Sequence, residues 1–251
     1  MPNRFSPVGV FDSGVGGISV LGELARTLPH EDFLYYGDNL HAPYGTKPES
    51  EVLGYVHSVM DHLMAQDVKA VVIACNTATS VAAAALRAEL SLPIIGMEPA
   101  LKPASEQRRS GQILVLATPM TLRLPKFQAL YARYGEGAVP LPCPGLMELV
   151  ETQAFDQARR YLQEHFLAYD ISRVDAVVLG CTHYVFLRPI LQEILPPHVL
   201  ILDGNAGTAR QLARVLGQRD LLNDQGGSIR LETSGDEATI LPLMRTLLAR
   251  A

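Results

Sequence analysis

Short apolar runs recur along the chain, and most are followed by a longer segment with the apolar spacing of a helix. The runs predict strands at 8–11, 33–36, 70–74, 93–96, 113–116, 138–141, 176–179, 199–202 and 229–232. Strands that are apolar throughout and alternate with helices are typical of a parallel sheet covered on both faces. The pattern therefore predicts an α/β fold, with helices such as 186–194 between the strands.

The same strand and loop units occur twice. AVVIACNT at 70–77 matches AVVLGCTH at 176–183, and VGVFDS at 8–13 matches LVLATP at 114–119. Quasi-repeats are common in α/β proteins, but here a cysteine repeats with the strands, which favours duplication. The surplus of 207–251 holds one more predicted strand and two helices, which suit the sheet of the first half. We therefore predict one discontinuous domain, 1–97 plus 207–251, and a second domain, 98–206.

Composition excludes several classes of protein. The chain has 251 residues with 21 basic and 26 acidic side chains, a net charge of −5, and 48% hydrophobic residues. This is a globular composition, and a mildly acidic chain lacks the basic face that nucleic-acid binding requires. Three cysteines do not make a secreted disulfide framework. The N-terminal segment does not resemble a signal peptide, and no window suits a membrane span, so we expect a cytoplasmic protein with free thiols.

Two cysteines hold equivalent positions directly after strands, where ligands bind in open α/β sheets. Cys75 and Cys181 each precede a predicted helix, whose N-terminus favours a thiolate. Two facing thiols can remove a proton from one side of a carbon and return one to the other, which inverts a stereocentre. The alternative is that both are buried strand-end cysteines. Cys143 lies between two prolines and is interpreted as structural.

Other strand-end residues complete the predicted site. Asp12 is the carboxylate nearest the Cys75 side, and His183 is the imidazole nearest Cys181. Neutral donors follow the strands and can bind a substrate carboxylate or cap helices: Ser13, Asn76, Thr77, Thr118, Thr121 and Thr182. The loop 41–46 is predicted to be a mobile cover. None of the four lysines follows a repeated strand, so a pyridoxal Schiff base has no candidate, and no metal-ligand set is present.

The motifs resemble those of the glutamate racemase family. They are GVFDSGVGG, YYGDNLHAPYGTK, ACNTATS, GMEPA, ATPMT, CPGLMELVE and LGCTHY, in that order between residue 8 and about residue 186. The resemblance implies an isomerase that interconverts L- and D-glutamate without a cofactor or metal and supplies D-glutamate for peptidoglycan synthesis, cell wall biogenesis and cell shape. It also implies a cytoplasmic homodimer. The implied fold is two pseudo-symmetric flavodoxin-like domains with parallel sheets and an active site in the cleft between them.

The resemblance also implies roles for individual residues. Cys75 would act on D-glutamate and Cys181 on L-glutamate, with Asp12 and His183 as supporting acid/base residues. Substrate contacts are implied for Ser13, Pro43, Tyr44, Gly45, Asn76, Thr77, Thr118 and Thr182. Glu151 matches a carboxylate near the substrate ammonium, with Glu148 as the alternative.

Two other classes stay open at this stage. One is a related enzyme, such as an aspartate racemase, a hydantoin racemase or a decarboxylase of malonate-type acids. A decarboxylase needs only one protonating cysteine, so the pair favours a racemase. The other is a non-catalytic module that binds an acidic ligand, for which a matched thiol pair would be unnecessary.

Overall fold

The structure, a computed structural model, describes residues 2–251 and contains a strand at each predicted position. The strands are β1 Val8–Asp12, β2 Phe33–Gly37, β3 Ala70–Ile73, β4 Ile94–Gly96, β5 Gln112–Ala117, β6 Ala138–Pro142, β7 Val174–Leu179, β8 Leu200–Asp203 and β9 Ile229–Thr233. The helices are α1 Ile18–Thr27, α2 Glu49–Ala65, α3 Asn76–Glu89, α4 Leu101–Gln107, α5 Pro119–Arg123, α6 Pro125–Tyr134, α7 Leu146–Glu151, α8 Phe155–Phe166, α9 Arg188–Ile194, α10 Asn205–Gln218 and α11 Glu237–Leu248.

The strands form two parallel sheets with a shared topology. One sheet has the order β4-β3-β1-β2-β9, and the other, β8-β7-β5-β6, repeats the first four places of that order. The register repeats as well, since Val8 lies opposite Phe33 in one sheet and Ile113 opposite Ala138 in the other. This confirms the predicted α/β class with its two flavodoxin-like parallel sheets. The final strand, β9, extends the first sheet beside β2.

The chain divides into two compact units, each containing one sheet. The first comprises the residues up to Met97 together with Asn205–Ala251, and the second comprises Glu98–Gly204. No helix among residues 2–251 is both long enough and apolar enough to cross a bilayer.

Helices cover both faces of the sheets, as β5 illustrates. Its residues Ile113 and Val115 belong to one apolar core, and Leu114 and Leu116 belong to another. All four side chains are fully buried. Since side chains alternate between the faces of a strand, both faces of this sheet are dry. A ligand can therefore reach polar groups of the strands only where the strands end.

The segment after β7 differs from the prediction. A 3₁₀ helix occupies Thr182–Leu187, and the α-helix begins only at Arg188 instead of at residue 186. Pro189 accounts for the start of α9, because proline fits the first turn of a helix, where its missing N–H is not needed. The tighter 3₁₀ turn precedes it, directly after Cys181.

A buried ion pair holds the opposite, amino-terminal edge of the first sheet. Lys69 Nζ lies 2.5 Å from Glu31 Oε2, and both side chains are almost completely buried. Lys69 also donates to the carbonyl of Arg4, and the backbone N–H of Asn223 donates to Glu31 Oε1 at 2.8 Å. These contacts join the N-terminal segment and the segment before β9 to the sheet.

Replacing Lys69 by methionine is expected to lower the free energy of unfolding by about 3–5 kcal/mol, because the Glu31 carboxylate would stay buried without its partner. Urea unfolding measures the change. The double variant Lys69→Met/Glu31→Gln removes the orphaned charge and keeps an acceptor for Asn223, so it should regain part of the loss. Equal destabilisation in the single and double variants would argue against a charge effect.

Candidate active site

Cys75 lies two residues beyond β3 at the carboxyl edge of the first sheet. Because β1 and β3 are parallel neighbours with Phe11 opposite Ile73, Asp12 and Ser13 end at the same edge. Cys75 is the N-cap of α3, and the backbone N–H of Ala78 donates to its Sγ at 3.4 Å. Its Sγ also lies 3.5 Å from Ser13 Oγ. A sulfur that accepts an amide N–H and lies beside a hydroxyl at a helix N-terminus is suited to the thiolate form.

The turn after β1 fixes Ser13 beside this sulfur. Asp12 is fully buried, and its Oδ2 accepts the backbone N–H of Gly17 at 2.7 Å. A Cβ at Gly17 would lie 2.6 Å from the Cβ of Asp12, so the turn closes only around glycine. The Tyr35 hydroxyl donates to the carbonyl of Gly14 at 2.7 Å. Asp12 therefore holds the glycine-rich turn in place.

Asn76 and Thr77 form the first turn of α3 and are both buried. Within residues 2–251, neither the amide nitrogen nor the amide oxygen of Asn76 has a hydrogen-bond partner. An unsatisfied buried polar group costs about 1–3 kcal/mol, so such groups are uncommon in folded proteins unless a ligand or water satisfies them. Asn76 thus offers one acceptor and two donors at the sheet edge that carries Cys75.

The loop after β2 contains two short 3₁₀ turns, Asn39–His41 and Tyr44–Thr46. Pro43 lies between the two turns, and Tyr44 and Gly45 lie within the second. Tyr44 is buried, and its hydroxyl donates to Asp38 Oδ2 at 2.6 Å. Burial, together with the Asp38 carboxylate, raises the pKa of Tyr44, so the phenol remains a neutral donor. Asp38 follows a strand, but the sequence does not indicate its role as the anchor of this loop.

Cys181 occupies the equivalent place in the second sheet, two residues beyond β7, and has a different set of partners. Its Sγ lies 3.7 Å from His183 Nδ1, and His183 Nε2 lies 3.0 Å from Glu151 Oε1. A six-residue 3₁₀ helix follows directly, with Cys181 at its N-cap position, and no backbone N–H of this helix donates to the sulfur. The imidazole is the neighbouring group instead.

His183 is almost completely buried between these two partners. Burial by itself would lower its pKa, but the hydrogen bonds and charges of Cys181 and Glu151 outweigh burial and raise the pKa well above the ordinary value of 6.5. The two groups that contact the ring thus favour its protonated form. A cationic imidazole beside a sulfur favours a thiolate, as in cysteine–histidine pairs.

Glu151 and Glu148 both lie on the short helix α7, but in different surroundings. Glu151 contacts His183, whereas Glu148 is exposed. Thr182 is buried beside Cys181, and the Thr118 hydroxyl caps α5 by accepting the backbone N–H of Thr121 at 3.2 Å. The geometry thus connects the sequence-predicted residue Glu151 to the cysteine through the imidazole.

The third cysteine is a packing residue. Cys143 is buried, and its thiol lies 3.4 Å from the carbonyl oxygen of Leu141, to which it donates. Burial raises its pKa to about 12, so it stays a thiol. Its carbonyl accepts the Tyr184 hydroxyl at 3.0 Å, which fixes the 3₁₀ segment after Cys181.

Matching strand ends of the two sheets thus carry Cys75 and Cys181, each with its own activating partners, an arrangement that suits acid/base chemistry. A model of the Asp/Glu/Hydantoin racemase family matches residues 13–212. The chain therefore belongs to this family of isomerases. The predicted racemase class is confirmed.

Several relatives that cover nearly the whole chain are glutamate racemases. The glutamate racemase of Clostridium botulinum is 46% identical over 243 residues, which are 94% of this chain and 95% of that protein. The crystal structure of Thermus thermophilus glutamate racemase in complex with β-chloro-D-alanine matches with a TM-score of 0.82 at 36% identity, over 98% of this chain and 94% of that one. The Escherichia coli enzyme, crystallised with L-glutamate and the activator UDP-MurNAc-Ala, matches with a TM-score of 0.85 at 29% identity, over 96% and 94%. The predicted resemblance is confirmed.

Proposed function

We propose that this racemase interconverts L- and D-glutamate by proton transfer at the α-carbon between two thiols, with no cofactor. Cys75 acts on the D isomer and Cys181 on the L isomer. One observation carries the proposal: matching strand ends of two sheets with the same topology each present a cysteine beside an activating group. The similarity to glutamate racemases supports glutamate as the substrate.

The reaction from D- to L-glutamate begins with Cys75 as the thiolate and Cys181 as the thiol. Cys75 takes the α-proton, and the electron pair of the broken C–H bond passes to the α-carbon and its carboxylate. The Cys181 thiol then donates its proton to the opposite face of this carbon and becomes the thiolate. The Ser13 hydroxyl and the Ala78 amide stabilise the first thiolate, and the His183 imidazolium stabilises the second.

The substrate is held by the polar residues around the two cysteines. The unsatisfied amide of Asn76 supports a direct role in binding, because a substrate carboxylate and ammonium can use its donors and its acceptor. We assign further contacts to Ser13, Pro43, Tyr44, Gly45, Thr77, Thr118 and Thr182. Asp12 assists on the Cys75 side, and Glu151 orients His183 and faces the substrate ammonium.

The biological setting follows from the same proposal. D-glutamate made in the cytoplasm serves peptidoglycan synthesis, and with it cell wall biogenesis and cell shape. The enzyme acts as a homodimer. An aspartate racemase is the second candidate, because the matching family model covers aspartate and glutamate racemases alike.

Racemisation in deuterium oxide tests the proposal. L-Glutamate should give D-glutamate that carries deuterium at the α-carbon, since the returned hydrogen comes from a thiol that has exchanged with solvent. Aspartate is one methylene shorter and should be turned over about 10–200-fold less efficiently. Nuclear magnetic resonance and chiral chromatography measure both products. A protein with three titratable thiols and no exchange from either glutamate isomer would refute the activity, and faster turnover of aspartate would favour the second candidate.

A further inference from the structure

The neighbouring strands β2 and β9 are joined at both ends by a hydrogen bond from a serine to an aspartate. Before the strands, Ser228 Oγ donates to Asp32 Oδ1 at 2.5 Å. After the strands, Ser234 Oγ donates to Asp38 Oδ1 at 2.7 Å. The two pairs are chemically alike, but only the second lies at the carboxyl edge of the sheet, where Cys75 lies.

Asp38 connects Ser234 to the loop that carries Tyr44. Its carboxylate is almost completely buried, and it accepts the Tyr44 hydroxyl at 2.6 Å and His41 Nδ1 at 2.9 Å in addition to Ser234. Ser234 also bonds to the loop directly, because its Oγ accepts the backbone N–H of Leu40 at 3.0 Å. One serine hydroxyl therefore bonds both the anchor of the loop and its backbone.

Other contacts of the turn after β9 strengthen this connection. Thr233 Oγ1 donates to Asn39 Oδ1 at 2.9 Å, and the backbone N–H of Ser234 donates to the carbonyl of Gly37 at 3.0 Å. On the other side of the loop, the His41 ring stacks on the Tyr55 ring with centroids 4.0 Å apart. The loop is thus fixed between α2 and the turn that follows β9.

We propose that Ser234 is a positioning residue for the racemase reaction: through Asp38 it holds Tyr44, and with it Pro43 and Gly45, in the conformation that binds substrate. The inference rests on the proposed function of this site. Without the Ser234 hydroxyl, the Leu40 N–H loses its acceptor and the Asp38 carboxylate loses one of its donors. Only a fraction of the free protein then has the loop in its binding conformation. The apparent affinity for glutamate falls in proportion to that fraction, and the bound complex itself is unchanged.

The test compares Ser234→Ala with Ser228→Ala, the same substitution at the other end of the same strand pair. Ser234→Ala should raise KM for both glutamate isomers about tenfold, with kcat within about twofold of the parent. Ser228→Ala should keep both parameters, and because its hydrogen bond to Asp32 is exposed whereas that of Ser234 to Asp38 is half-buried, its loss of thermal stability should be the smaller of the two. Ser234→Thr, which retains the hydroxyl, should restore KM. This split between KM and kcat separates positioning from general destabilisation.

Tyr44→Phe provides an independent measurement, because it removes only the hydroxyl that Asp38 accepts. It should also raise KM, and it serves in place of Ser234→Ala if that variant fails to fold. Equal KM values for Ser234→Ala and Ser228→Ala, or an unchanged KM for Tyr44→Phe, would overturn the inference while leaving the racemase activity established. A parent protein that turns over neither glutamate isomer would instead refute the proposed function, and the positioning role with it.

Discussion

Replacing either Cys75 or Cys181 by alanine is expected to lower kcat/KM by about 10⁴-fold, the upper end of what a positioned acid or base contributes. The loss should be the same from L to D as from D to L. The two enantiomers have equal free energies, so the equilibrium constant is unity and kcat/KM must match in the two directions in every variant. Polarimetry from each isomer measures both values.

The direction that each thiol serves must therefore be read from reactions that need only one base. In a β-chloro analogue, one thiolate removes the α-proton, the electron pair of the broken C–H bond forms the α,β double bond, and chloride leaves with the electrons of the C–Cl bond. Cys75→Ala should retain chloride release from the L analogue alone, and Cys181→Ala from the D analogue alone. A chloride electrode follows both reactions.

Cys143→Ala is the matched control for these variants. It removes a buried thiol of the same chain that packs beneath the second half of the site and donates to Leu141. Its kcat/KM should stay at the parent value, with some loss of stability. Substantial racemisation by Cys75→Ala or Cys181→Ala would refute the two-thiol scheme. If either variant released chloride from both isomers of the analogue, the assignment of Cys75 to the D isomer and Cys181 to the L isomer would be wrong.

The second large effect is expected from the residues around His183. His183→Gln should lower kcat/KM by about 10²-fold, the lower end of acid/base contributions, because the cation next to Cys181 is lost while the thiol remains. Glu151→Gln should act through pH. Glu151 helps to raise the pKa of His183, so its removal lowers that pKa and the imidazolium persists over a narrower range.

The sign of the pH effect follows from the direction of this shift. A raised histidine pKa keeps the cation present below the ordinary value of 6.5 and above it, until the pH rises through the folded-state pKa. In Glu151→Gln, the alkaline fall of kcat/KM should therefore begin at a lower pH than in the parent, in addition to a loss at every pH from the missing contact with the substrate ammonium. Initial rates measured from about pH 5 to 10 reveal the shift.

Glu148→Gln is the control for this prediction, since it makes the same change on the same helix at an exposed position. Its pH profile should superimpose on that of the parent. If Glu148→Gln shifted the alkaline limb of kcat/KM and Glu151→Gln did not, Glu151 would not control the pKa of His183. A His183→Gln variant with full activity would exclude the imidazolium from the reaction.

The sequence predicts the fold well because each strand is buried on both faces and is therefore apolar throughout. Val71, Val72 and their counterparts Val177 and Val178 are fully buried in sheets that share one topology. The repeat in the sequence thus corresponds to a repeat in the strand order. The start of α9 was harder to predict, because Val185 and Phe186 have the apolar character of a helix although the backbone there is 3₁₀.

Only those residues of the candidate site that follow strands could be predicted from the sequence. The rule for open sheets finds Asp12, Cys75 and Cys181, which follow apolar runs. It does not distinguish Glu148 from Glu151, because the orientation of a two-turn helix decides which of them contacts His183. The contact between Ser234 and Asp38 joins residues far apart in sequence, and no local pattern indicates it.

The position of β9 after the whole second unit in the sequence affects how the first sheet can form during synthesis. Residues 98–204 leave the ribosome as one continuous segment and can fold during synthesis, since domains generally fold as units. The first sheet has to wait for its edge strand, which is translated only after residues 98–204. The loop with Tyr44 therefore gains its hydrogen bonds to Ser234 only after both cysteines have been synthesised.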